Sequence, residues 1–172
     1  MATSKRRKAL RRHEIEPLDA RAARVAALDA LARRDYASED LRRKLLEKGY
    51  DAAVIGPLLD ALRAEKLLDD RRYAENFVAY HAARGHGPLR VRADLRRHAL
   101  EGVLVEECLG AYPDWIGQLR KAQQKKFGVQ LPTNYADKQR QVRFLGYRGF
   151  TSAQIRSALG FDIDLDADNE YI

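Results

Sequence analysis

Apolar residues recur along the chain at helical rather than strand spacing, and they do so three times in one register. Leu45, Leu95 and Leu145 stand 50 residues apart, as do Ile55, Val105 and Ile155, and again Leu59, Leu109 and Leu159. A fixed period of this length is the mark of stacked supersecondary units, none of which can bury its apolar face alone. Between the columns lie Gly49-Tyr50-Asp51, Ala99-Leu100-Glu101 and Gly149-Phe150-Thr151, each a helix stop, an apolar staple and a cap. The pattern predicts helix, turn, helix in every copy, and no strand-like alternation competes with it.

In the first copy residues 22–34 predict a helix with Val25, Leu28 and Leu31 on one side. Ser38 can then cap a helix carrying Leu41, Leu45 and Leu46, which Gly49 stops. Asp51 precedes a third helix with Val54, Ile55, Leu58, Leu59 and Leu62 as its buried stripe. Pro57 lies beyond the first turn if that helix starts at Ala52, so either a kink or a start nearer Gly56 is expected. In the second copy Asp69 or Asp70 can cap a helix whose Tyr73, Phe77 and Tyr80 read as a core stripe. It breaks at Gly85-His86-Gly87, and Pro88 opens a middle helix over 89–98, followed by one from 103 to 109 that ends at Tyr112-Pro113. The third copy has a helix that starts near Trp115 and runs through Leu119 to Phe127, then paired helices at 137–148 and 151–159, with 128–135 as the longest loop. The fold expected is all-α, three tandem three-helix repeats over 22–69, 70–114 and 115–161. A basic arm (1–21) precedes them and an acidic tail (162–172) follows.

Composition narrows the class. With 172 residues, 45% apolar and 33% charged, the chain is too hydrophobic for disorder, too charged for a membrane protein and long enough for a core. No stretch reaches the roughly 20 apolar residues of a bilayer span. Cys108 is the one cysteine, so no internal disulfide or thiolate metal site can form, which fits a reducing cytoplasm. The formal charge of +7 favours polyanionic partners. Catalytic constellations are missing. His81 and His86 lack the acidic helper of a zinc-protease motif, Gly85-His86-Gly87 lacks the lysine and hydroxyl of a phosphate loop, and both read as turn chemistry. Cys108, beside Val105 and Leu109, reads as a buried thiol. No catalytic residue, cofactor or metal is expected.

Particular residues carry a family resemblance. Leu67-Leu68-Asp69-Asp70 is followed by Tyr73 and Ala74, and Gly85-His86-Gly87-Pro88 leads into Arg90, Arg92 and Leu95. Lys138, the run from Arg143 to Phe150 (Arg-Phe-Leu-Gly-Tyr-Arg-Gly-Phe) and Ile155 complete it. In this order and spacing they resemble the RecX family over 22–161. The resemblance implies an elongated, curved array that binds the groove of a RecA-type recombinase filament. It also implies that the protein modulates filament assembly, ATPase and strand exchange without catalysing a reaction. Ala99 departs from the family's glycine at the end of the middle helix, so Gly102 is expected to take over the stop and displace the turn.

The middle helices hold the densest charge: Arg42, Arg43, Lys44 and Lys48, then Arg90, Arg92, Arg96 and Arg97, then Lys138, Arg140, Arg143 and Arg148. With the leucines inward, these cations can align as a basic stripe for a recombinase filament or for DNA bound weakly and without sequence preference. Individually they can equally be solvated or paired with Glu39, Asp40 or Glu47. The arm, with Lys5, Arg6, Arg7, Lys8, Arg11 and Arg12, reads as added DNA affinity or as a solubilising tail. The tail, with Asp162, Asp164, Asp166, Asp168 and Glu170, reads as a solvated end. The leading function is a monomeric, cytoplasmic filament regulator with no membrane partner. Its rival is a transcriptional regulator that reads an operator through a helix-turn-helix pair with 90–98 in the major groove.

Overall fold

The computed structural model describes residues 16–160. Among them are the helices α1 (Ala20–Leu31), α2 (Ser38–Glu47), α3 (Ala52–Ala64), α4 (Asp70–Ala83), α5 (Pro88–Arg96), α6 (Val103–Ala111), α7 (Trp115–Phe127), α8 (Tyr135–Tyr147) and α9 (Ser152–Leu159), and no strand. They group as three three-helix units, and the chain divides into two compact bodies at Leu68/Asp69. Most of the basic arm and all of the acidic tail lie outside the described residues.

In the first body α1 packs on α2 and α3 through Ala23, Ala26, Ala27 and Ala30, against Leu41, Leu45, Ile55, Leu59 and Leu62. The expected stripe on α1 is therefore displaced: Val25 is 56% exposed, and Leu28 and Leu31 only flank the core. Helices approach most closely through their smallest side chains, and α1 turns its alanines inward. Leu46 also faces out, next to the buried Leu45. Ser38 is not a cap. It is the first helical residue of α2, buried, and its hydroxyl accepts from Arg63 Nε at 3.3 Å. Asp51 does cap α3, its carboxylate accepting from the Ala53 N–H at 2.8 Å. That helix starts at Ala52 and continues through Pro57, so the later start does not occur. Pro57 and Ala53, whose carbonyl Pro57 cannot serve, both lie on the exposed face.

The second body holds the second and third units, α4 to α9. Asp69 rather than Asp70 caps α4, and Thr151 forms a full capping box with Gln154 on α9. Asn134 caps α8, which starts at Tyr135, two residues before the expected start. The aromatic stripe of α4 is corrected by one residue: Ala74, Val78 and Ala82 are buried, Tyr73 and Phe77 are half-buried, and Tyr80 is 58% exposed. The third unit closes around Leu119, Val142, Leu145, Phe150, Ile155 and Leu159. A buried amide pair links α7 and α8, Gln123 Nε2 donating to Gln141 Oε1 at 3.1 Å.

One turn geometry recurs at the end of each middle helix. The N–H of Tyr50 donates to the carbonyl of Leu45, that of Leu100 to Leu95 and that of Phe150 to Leu145, at 3.2, 3.1 and 3.2 Å. The residue before each donor is left-handed: Gly49 at φ +98°, Ala99 at +56° and Gly149 at +85°. The expected displacement to Gly102 therefore does not happen; Ala99 adopts the strained conformation itself, and Gly102 becomes the N-cap residue of α6. An L-residue with a Cβ costs about 1–2 kcal/mol there, and the Ala99 side chain is exposed. Ala99→Gly is expected to stabilise the protein by about 1 kcal/mol, raising the urea midpoint at unchanged slope. A lowered midpoint would contradict this account of the turn.

The second and third units are joined through main chain. The Gly87 N–H donates to the Arg148 carbonyl at 2.7 Å, and the Leu89 N–H to that of Gly149 at 3.0 Å. A Cβ on Gly87 would meet Gly149 and the Phe150 nitrogen at 2.3 Å, and one on Gly149 would meet Arg90 at 2.5 Å. Two glycines thus let the α4–α5 corner seat directly on the end of α8.

Candidate functional site

The cations proposed from sequence are mostly exposed, as leucine burial dictates, but many are locally engaged. On α2 Arg42 lies 3.6 Å from Glu39, Arg43 pairs with Asp40, and Lys44 sits 5.8 Å from the Tyr36 ring. On α5 Arg97 and Arg90 share Asp94 at 2.9 and 3.8 Å. Arg92 grips Glu106 of α6 with both Nε and a terminal nitrogen, at 2.6 and 2.7 Å. That fork raises the Arg92 pKa and lowers that of Glu106, chiefly through the hydrogen bonds. On α8 Arg140 pairs with Asp137 at 3.1 Å and stacks 5.6 Å from the Phe127 ring, while Lys138 is half-buried. Lys48, Arg96 and Arg143 are exposed and make no ion pair among the described residues.

Arg148 belongs to a different arrangement. Its guanidinium turns back to donate to the carbonyls of Arg84 and Gly85, at 3.0 and 3.4 Å, and lies 5.1 Å from the Phe144 ring. It thereby satisfies carbonyls at the end of α4, where the helix dipole also favours a cation. Beside it opens a cleft of about 320 Å³ between the end of α4, α7 and α8. Five cations line it, Arg84, Lys121, Lys125, Lys126 and Arg148, with Gln118 and Phe144, and no carboxylate does. Arg84 is oriented by Tyr80, whose hydroxyl accepts from it at 2.9 Å.

A concave surface lined by one sign of charge focuses its field and concentrates anions. Phosphate or carboxylate groups match this donor set. Of the five, the sequence reading singled out only Arg148. Lys121 and Lys125 were legible as a pair four residues apart on the face of α7 opposite Leu119 and Gln123.

The corner next to this cleft holds a second polar group. His81 Nδ1 and His86 Nδ1 face each other at 3.1 Å, with Asp94 beside them. Burial, the largest influence on both rings, holds each below the ordinary imidazole range, and Arg90 adds to this. Both rings are thus neutral near pH 7. Cys108 is buried as expected, and burial pushes its thiol up, away from the reactive thiolate.

Comparison with known proteins matches three consecutive family models: the first, second and third three-helix domains of RecX, at residues 23–62, 69–109 and 116–159. The regulatory protein RecX of Halorhodospira halophila is 41% identical over 138 residues, covering 80% of this chain and 86% of its own. That of Acidithiobacillus ferrooxidans is 43% identical over 136 residues, covering 78% and 86%. A crystal structure of RecX from Lactobacillus salivarius superposes with a TM-score of 0.73 at 18% identity, covering 83% of this chain and 95% of that one, and supports the fold. No helix among the described residues is long and apolar enough to cross a membrane. With matched models over three consecutive domains and relatives near 40% identity across most of its length, the chain belongs to the RecX family of regulatory proteins.

Proposed function

We propose that this protein restrains a RecA-type recombinase filament on DNA, acting by binding and not by catalysis. Membership of the RecX family supports the partner. The observation that carries the contact is the acid-free cleft of Arg84, Lys121, Lys125, Lys126 and Arg148, which suits anionic groups of a filament, whether protein carboxylates or DNA phosphates. The exposed cations of the middle helices, Lys48, Arg96 and Arg143 foremost among the twelve named from sequence, offer further contacts to anionic groups. The paired members need only exchange a local acid for one on the partner. The protein shifts filament growth against loss through unequal affinity for the two states. In this reading it works as a cytoplasmic monomer, and its affinity for DNA alone is weak and falls steeply with salt.

The rival reading, an operator-binding helix-turn-helix, fits the geometry less well. Such readers present the N-terminal residues of the recognition helix to base edges. Here the start of α5 is occupied, Leu89 being hydrogen-bonded to Gly149 and Arg92 held by Glu106. Co-sedimentation with recombinase filaments assembled on single-stranded DNA tests the proposal. Saturable pelleting with filament, at DNA concentrations that pellet none of the protein without recombinase, is expected. Pelleting that depends on a particular duplex sequence and not on recombinase would favour the rival.

A further inference from the structure

We propose that His81, His86 and Asp94 form a binding site for a divalent transition-metal ion of the zinc type. The first observation is geometric. One potential ligand atom from each residue lies within 4.8 Å of the others, and the two Nδ1 atoms stand 3.1 Å apart. Two zinc–nitrogen bonds of about 2.0–2.1 Å at a tetrahedral angle place their nitrogens about 3.3 Å apart, so the observed spacing suits one centre once the rings turn their Nδ1 lone pairs from each other toward it, the ring protons moving to Nε2. Asp94 supplies a hard oxygen, and water would complete a four-coordinate site.

The second observation is independent and comes from the turns. The N–H of the residue after a left-handed position closes on a carbonyl five residues earlier at the ends of α2, α3, α4, α5 and α8. This closure brings together two side chains that ordinarily make an apolar contact. In four cases both positions are apolar: Leu45 and Tyr50, Leu62 and Leu67, Leu95 and Leu100, and Leu145 and Phe150. At the end of α4 the same two positions are His81 and His86. Where leucine would serve packing, two metal ligands stand instead, and α5 brings a carboxylate to them.

The surroundings fit a modest affinity. Asp94 is held by Arg97 on one oxygen and approached by Arg90 on the other, and a carboxylate has enough lone pairs to ligate while so held. Those arginines, with Arg84 and Arg148 nearby, oppose a second positive charge, so the ion adds to the fold without being required for it. Binding would tie the end of α4 and the turn to α5, at the corner that Gly87 seats on the third unit. The inference does not depend on the recombinase reading.

Titration of the full, untagged chain with cobalt(II), followed by its visible d–d absorption and by displacement with zinc(II), tests it. One equivalent per chain is expected, with tetrahedral-type intensity, and zinc should raise the thermal midpoint. His86→Gln and Asp94→Asn should each weaken cobalt binding at least tenfold and abolish the zinc-dependent rise, with far-UV circular dichroism unchanged. His98→Gln should behave as the parent. Absence of saturable binding in the parent overturns the proposal, as does parental affinity in His86→Gln. If His86→Gln misfolds, His81→Gln and Asp94→Asn decide the matter by the same criteria.

Discussion

Gly87→Ala is expected to cost about 2–5 kcal/mol of stability, far more than one added methyl group usually does. The new Cβ would fall 2.3 Å from the carbonyl carbon and oxygen of Gly149 and from the Phe150 nitrogen, all main-chain atoms that no rotamer change can move aside. To admit it, the corner must lift and surrender the bonds from Gly87 to Arg148 and from Leu89 to Gly149. Gly146→Ala is the matched comparison. Gly146 lies inside α8 with open space where its Cβ would go, so alanine there is expected to stabilise by about 0.5–1 kcal/mol. Urea unfolding of the two variants would separate a close approach from ordinary helix propensity. A Gly87→Ala midpoint within error of the parent would show that the second and third units are not seated as described.

Charge reversal of the cleft carries the second large effect. Lys121→Glu, Lys125→Glu and Lys126→Glu together should weaken filament binding by on the order of 100-fold at fixed salt, since each replaces an attraction by a repulsion in a concave site. All three lysines are exposed on α7, so the fold should survive apart from a small dipole penalty at the helix end. Arg21→Glu, Arg33→Glu and Arg156→Glu make the same change in net charge at exposed positions that do not line the cleft. If that control loses as much affinity, long-range charge and not the cleft accounts for binding.

What the sequence made legible was whatever one segment decides for itself. Leu45, Leu95, Leu145, Ile55, Val105 and Ile155 are all buried, because a stripe at helical period can face only one way. The glycine stops, the Asp51 and Thr151 caps and the break before Pro88 are likewise local signals. The misplacements involve partners distant in the chain. Alanines rather than Val25 face inward on α1, and Ala74 rather than Tyr73 on α4, because closeness of approach selects the buried face and periodicity alone does not. Ala99 keeps the turn that its residue type argues against, since the bond from Leu100 to Leu95 and the burial of Leu100 outweigh the strain. The cleft likewise has no local signal: Arg84 is brought to Lys121 and Arg148 only by the packing of α4, α7 and α8.

If the chain acts on a recombinase filament, it changes ATP hydrolysis by the cognate recombinase on single-stranded DNA. The protein is titrated in at substoichiometric levels with salt held fixed. A dose-dependent fall in hydrolysis, blunted by reversal of the three cleft lysines and unaffected by the charge-matched control, is the expected result. Undiminished hydrolysis at stoichiometric excess of the folded protein would contradict it.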